Sequence, residues 1–231
     1  MAISKAIIPA GGYGTRFLPI TKVIPKEMLP IGDKPVIHYI IDELFSAGIT
    51  EILILIGANR ECLVEYLSEF PGITFKRVPH ARGVADNIRH AKQFTKDEPF
   101  IVAFSDNVFF NGNPTKEMLE DYNHKKLPVI CATEVPKSDA NKYGIITQKN
   151  NYVIKINEKP ANPKSGLAGF GRFILSPDIF DLINDNNEKP CLSETLNKLD
   201  KLRVIKTKAI AFDTGSKEGL FKASSFSFCP S

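Results

Sequence analysis

Apolar runs alternate along the chain with stretches in which apolar residues recur every three or four positions. The run Ala6-Ile8 predicts a first buried strand, and Val36, Ile37, Ile40, Ile41, Leu44 and Phe45 then recur at helical spacing until Gly48. "EILILI", residues 51–56, predicts a second buried strand. A helix over 62–70, a short strand over 74–78, a helix over 84–94 and a strand over 100–104 continue the alternation. Asn113-Pro114 opens a further helix with a capping side chain and a proline at the first helical position. Beyond Leu127 the pieces become shorter and richer in strand pattern: 128–135, 143–147, 152–157 and 169–175. Ser176-Pro177 starts another helix, 192–202 forms another, and 204–212 reads as a last strand. The pattern predicts an α/β chain with a mostly parallel central sheet flanked by helices and a smaller β-rich part. No repeat or flexible linker divides it, so one domain spans 1–231. About 1–127 form a nucleotide-binding half, about 128–223 a second half, and 224–231 a short tail.

Composition narrows the class. The chain has 231 residues, 43% hydrophobic and 24% charged, enough to bury an active site without covalent staples. The four cysteines form no C-x-x-C pair and the four histidines no zinc-site spacing, which predicts reduced thiols in a cytoplasmic protein. The apolar stretch near Met1 is too short for a signal peptide, and no run is long enough for a membrane helix. The net charge of +4 is mild and dispersed, which argues against nucleic acid as a partner and suits small phosphorylated ligands.

Directly after the first strand comes "PAGGYGTRFLPITKVIPKEMLP", residues 9–30. It is neither a Walker A loop, lacking G-K-[ST], nor a full G-x-G-x-x-G, because Phe17 stands where the third glycine belongs. Gly11, Gly12 and Gly14 let backbone N–H groups approach an anion, and Arg16 adds a forked cation. Lys26 follows between prolines that restrict the loop before any ligand arrives. Asp106 stands just past the strand "FIVAF", at the end of an α/β sheet where ligands bind and a carboxylate can hold Mg2+ between phosphates. "FDTGS" at 212–216 matches the aspartic-protease string, but that chemistry needs two such carboxylates and the chain has one copy.

The segment "AGGYGTRFLPITKVIPKEMLPIGDKPVIHYIIDELFSAGITEILI" resembles the N-terminal signature of bacterial UTP:glucose-1-phosphate uridylyltransferases, within the sugar-nucleotide pyrophosphorylases. "SDN" (105–107), "KYGII" (142–146), "NEKP" (157–160), "GFGRFILSPDIFDLI" (169–183) and "FDTGSKEGLFKA" (212–223) extend the resemblance over nearly the whole chain. It implies a Rossmann-like mixed sheet of the nucleotide-diphospho-sugar transferase type. It also implies Mg2+-dependent uridylyl transfer from UTP to glucose 1-phosphate, with Asp106 and Asp213 as metal ligands. Arg16 and Lys26 would serve catalysis, receiving the departing phosphates. Ala10, Gly11, Gly12, Gly14, Thr15, Glu27 and Gly83 would bind the nucleotide, Glu27 touching the base. Gly144, Glu158, Lys159 and Lys217 would bind the sugar phosphate, whereas Arg172 reads as structural.

Some positions depart from the family pattern. "KRVPHARGVADNI" keeps Gly83 but has no Gln before it, which leaves thymidylyl or another nucleotidyl transfer open. "EKPCLSETL" (188–196) stands for "GEIQLTDAL", and a short segment follows "GLFKA" where a helical tail is expected. A homo-oligomer and a catalytically silent sugar-nucleotide binder also remain open readings.

Overall fold

The structure, a computed structural model, describes residues 2–58, 60–78, 81–183 and 190–228. The predicted first strand is β1, Lys5–Ala10. Short 3₁₀ turns at Thr15–Phe17, Ile20–Lys22 and Lys26–Met28 follow, then a small hairpin of β2, Pro30–Ile31, and β3, Lys34–Pro35. α1, Val36–Ser46, buries the five residues Val36, Ile37, Ile40, Ile41 and Leu44 that set its period. β4, Glu51–Ile56, α2, Glu61–Leu67, and β5, Ile73–Arg77, come next.

The helix expected over 84–94 is two pieces, α3, Val84–Arg89, and α4, Lys92–Thr95. The break falls where the His90 and Ala91 amides bond three residues back instead of four. β6, Phe100–Ala103, leads into β7, Asn107–Phe110, a strand that the pattern does not predict. α5, Pro114–Lys125, begins as expected, with the Asn113 side chain accepting from the Lys116 amide.

The C-terminal half comprises β8, Val129–Glu134, β9, Gly144–Lys149, β10, Tyr152–Glu158, and β11, Leu167–Leu175. Short α6, Ile179–Leu182, and α7, Leu192–Leu196, follow, and α7 ends well before the predicted Leu202. The strand expected over 204–212 divides into β12, Arg203–Lys206, and β13, Ile210–Asp213, because each pairs in a different sheet. α8, Lys217–Phe228, carries helix into the predicted tail. Glu188 and Lys189 of the altered segment and residues 229–231 of the tail lie outside the described residues.

Among the described residues a nine-stranded sheet runs β5-β4-β1-β6-β11-β8-β12-β10-β9. β5, β4, β1 and β6 are mutually parallel, as are β12 and β8, while β11, β10 and β9 pair antiparallel with their neighbours. The sheet is therefore mixed, with its parallel character concentrated in the N-terminal half. β11 inserts between β6 and β8, so the two halves share one sheet. Alternation along β1 sends Ala6, Ile8 and Ala10 toward α1 and Ile7 toward α3. Full burial of each such Ile or Leu stabilises by about 1.5–3 kcal/mol. Among the described residues no helix is long and apolar enough to cross a membrane.

Candidate active site

The carboxyl end of β1 releases the chain into the glycine loop. Gly14 turns it with φ +62°, and a Cβ there would meet Thr21 Cγ2 at 2.9 Å. The Thr21 hydroxyl donates to the Gly14 carbonyl at 2.8 Å, while Arg60 Nη2 donates to the Gly12 carbonyl at 2.6 Å. The loop is thus pinned from both sides. Pro25, extended at ψ 143°, then tips the Lys26–Met28 turn so that Lys26 Nζ reaches Asp106 Oδ2.

Asp106 occupies the corner between β6 and β7. β13 pairs antiparallel with β7 and sets Asp213 opposite Asn107, next to Asp106. Both the amide and the hydroxyl of Thr214 donate to the Asp106 carbonyl, at 2.8 and 2.9 Å. The Gly215 amide donates to Asp213 Oδ1 at 3.0 Å, and its carbonyl accepts from Arg16 Nη1 at 3.3 Å. A Cβ on Gly215 would lie 2.7 Å from Asp106 Oδ2 and 3.0 Å from Asp213 Oδ1. Both carboxylates therefore face one small space that only a bare backbone leaves open.

Two carboxylates on one space fit Mg2+, which takes one or two protein carboxylates and fills its remaining positions with water and substrate phosphate oxygens. Among the described residues no cage of three or more His, Cys, Asp or Glu side chains occurs, so substrate oxygens would complete the coordination. Gly215→Ala is expected to lower divalent-metal affinity by about tenfold or more. Its φ lies outside the left-handed region, so the backbone accepts the change. Mn2+ binding followed by EPR measures the effect.

Electrostatics separates the two acids. Burial alone would raise the Asp106 carboxyl, but the charge and hydrogen bond of Lys26, with Arg16 beyond, hold it below the usual range. Burial raises Asp213, and the neighbouring Asp106 charge raises it further. Burial would lower the Lys26 ammonium, but Asp106 and Glu27 raise it overall, so Lys26 stays charged at neutral pH.

On the other side of the cleft β9 and β10 set Gly144 opposite Glu158. Ser193 Oγ donates to Glu158 Oε2 at 2.6 Å, and the Lys159 amide donates to the Tyr143 carbonyl at 3.0 Å. Lys159 Nζ stands 3.9 Å from Glu158 Oε1, half exposed and able to turn toward a ligand. Tyr143 lines the same cleft as Asp213, and burial, together with the negative charge of Asp213, raises its hydroxyl above the ordinary tyrosine range.

One cleft of about 650 Å3 is lined by Gly11, Gly12, Arg16, Lys26, Gly83, Asp106, Gly144, Glu158, Lys159 and Asp213. Ala10, Gly14, Thr15, Glu27 and Lys217 are not among its lining residues. Ala10 is buried in the sheet, and Gly14 and Thr15 open the Thr15–Phe17 turn that carries Arg16. Lys217 is exposed at the start of α8.

Glu27, expected to touch the base, packs beneath Lys26. It is 0% exposed, with Oε1 accepting from Ser105 Oγ at 3.1 Å and standing 4.0 Å from Lys26 Nζ. A carboxylate so enclosed places a negative charge behind Lys26. Lys142, Tyr143, Ser193 and Asn87 line the cleft without having been singled out as site residues. Lys142 and Tyr143 belong to the "KYGII" patch, which is the signal that could have found them. Asn87 and Ser193 depend on how α3 and α7 pack.

A family profile described as "Nucleotidyl transferase" matches residues 5–228. The chain belongs to the nucleotidyl transferase family. It is 35% identical over 260 residues to UTP–glucose-1-phosphate uridylyltransferase 2 of Staphylococcus saprophyticus, a match covering 95% of this chain and 90% of that protein. A UDP-glucose pyrophosphorylase solved in complex with UDP-glucose superposes with a TM-score of 0.91 at 30% identity, over 99% of this chain and 100% of the other. A UTP-bound UGPase from Acinetobacter baumannii gives 0.85 at 27% identity, over 97% and 93%. In this nucleotidyl transferase, Arg16, Lys26, Lys142 and Lys159 bring four cations to a cleft that also holds the Asp106–Asp213 pair. Such a set suits two phosphate esters meeting at a divalent cation.

Proposed function

We propose that this protein transfers a uridylyl group from UTP to glucose 1-phosphate, releasing pyrophosphate and forming UDP-glucose. A phosphate oxygen of the sugar phosphate forms a bond to the α-phosphorus, and the bond from that phosphorus to the β-phosphate bridge breaks. The nucleophile is already anionic near neutral pH, so no general base is needed. The obstacle is charge. Unit charges 4 Å apart repel by about 1 kcal/mol in water and about 4 kcal/mol at a partly buried site.

Mg2+, when held by Asp106 and Asp213, supplies positive charge and Lewis acidity at the reacting phosphate. Arg16 and Lys26 receive the departing pyrophosphate, and the Gly11-Gly12 backbone lies along the nucleotide. Gly83, at the start of α3, borders the base end of the nucleotide. Lys159 steers the incoming phosphate, joined by Lys142, while Glu158 and the Gly144 backbone meet sugar hydroxyls. Catalysis is then chiefly positioning and electrostatic stabilisation. The free thiols Cys62, Cys131 and Cys191 accord with work in the cytoplasm.

The observation that carries this reading is the convergence of the glycine loop, Lys26, Asp106 and Asp213 on one face of a cleft whose other face presents Gly144, Glu158 and Lys159. Pyrophosphate release across a grid of nucleoside triphosphates and sugar 1-phosphates with Mg2+ tests it. UTP with glucose 1-phosphate should give the highest kcat/KM. A preference for TTP would move the assignment to thymidylyl transfer, and UDP-glucose binding without turnover of any pair would identify a silent binder.

A further inference from the structure

Arg172, on β11, is 0% exposed and does not line the cleft. Its guanidinium offers five N–H bonds, and all five are used. Nε and Nη2 donate to the two oxygens of Glu43 on α1, at 3.0 and 2.8 Å. Nη1 donates to the carbonyls of Phe104 and Gly171 at 3.3 and 3.0 Å, and Nη2 to that of Asn107 at 2.9 Å. Phe104 and Asn107 bracket the corner that carries Asp106. Glu43 is fixed in turn by the Thr115 hydroxyl at 2.6 Å, and the guanidinium lies 5.1 Å over the Phe109 ring.

Two features of this arrangement exceed what packing requires. A buried ion pair stabilises a fold little compared with apolar residues of the same volume, so stability alone is a weak reason for it. The carbonyls it grips are also those on both sides of a reacting-site acid, and Asn107 is the register partner of Asp213 on β13. A shift of the corner would displace both carboxylates relative to each other.

We propose that Arg172, oriented by Glu43, is a positioning residue that sets the separation of the Asp106 and Asp213 carboxylates and thereby the affinity of the site for a divalent cation. Lysine cannot replace it, because a single ammonium with three donors cannot serve a carboxylate in two-point fashion and three carbonyls as well. The inference rests on the two-carboxylate reading of the metal site, not on which nucleotide or sugar is used.

The test uses substrate-free protein and Mn2+ followed by EPR, beside steady-state kinetics and thermal melting. In Arg172→Lys, Mn2+ affinity should fall by about tenfold or more, the range seen when an outer-shell partner of a metal site is lost. Glu43→Gln should shift Mn2+ affinity in the same direction by less, since a neutral amide keeps one acceptor. The KM for the sugar 1-phosphate should stay within about twofold, because neither side chain reaches the substrate. Unchanged Mn2+ affinity in a folded Arg172→Lys protein overturns the proposal. If that variant does not fold, unchanged affinity in folded Glu43→Gln overturns it equally. Mn2+ binding that keeps its wild-type strength in Asp106→Asn would also overturn it. Failure of UTP turnover with the Mn2+ effects intact would strike only the assigned reaction.

Discussion

Asp106→Ala is expected to lower Mg2+-dependent pyrophosphate release by more than about a hundredfold, beyond the range for losing a mere outer-shell partner of a metal site. The side chain stands where three influences meet. It faces the space shared with Asp213, it is the partner of Lys26, and it lies close enough to Arg16 to feel its charge. Its removal leaves Asp213 alone before a cation. It also removes the negative neighbour that raises Asp213, so that carboxyl, still raised by burial, titrates lower than before. The corner itself should survive, because the Asp106 carbonyl keeps both bonds from Thr214. Pyrophosphate release at saturating UTP and glucose 1-phosphate, with circular dichroism as the control for folding, measures the loss. Near-normal turnover in the folded variant would remove Asp106 from the reaction.

Lys26→Ala is expected to cost about a thousandfold in kcat, the lower range for a cation that stabilises a phosphoryl-transfer transition state. The effect differs in kind from that of Asp106. Lys26 Nζ offsets Asp106 and stands 4.0 Å from buried Glu27. Without the ammonium, Glu27 loses the largest charge that opposes the rise caused by burial, so its carboxyl titrates higher still, while the Asp106–Asp213 pair remains. Mn2+ binding should therefore survive in Lys26→Ala and fail in Asp106→Ala, while both lose turnover. Equal loss of Mn2+ binding in the two variants would overturn this division of labour.

Much of this architecture was legible in local pattern. α1 is read correctly because its five buried residues define the period, and β1, β4 and β6 because fully apolar runs leave few alternatives. The glycine loop and Asp106 are legible as candidates because each follows such a strand, at the end of a sheet where ligands bind. The Asn113 cap and the start of α5 are likewise local, depending on residues within one helical turn.

What the chain pattern could not supply are relations between distant segments. The apolar stretch 204–212 carries nothing to mark where it leaves one sheet for another, since both halves satisfy the same strand pattern; only the partners β8 and β7 divide it. That division brings Asp213 to Asp106. Glu27 and Lys26 are adjacent in sequence, yet one is enclosed and the other faces the cleft, because the Lys26–Met28 turn packs against Ser105. Arg172 reads as structural until its five donors are counted. Local sequence thus determined the elements and the residue types of the site, because hydrophobic period and turn chemistry act over a few residues. Tertiary structure decided which charges meet, because β pairing and burial act between segments that the sequence holds far apart.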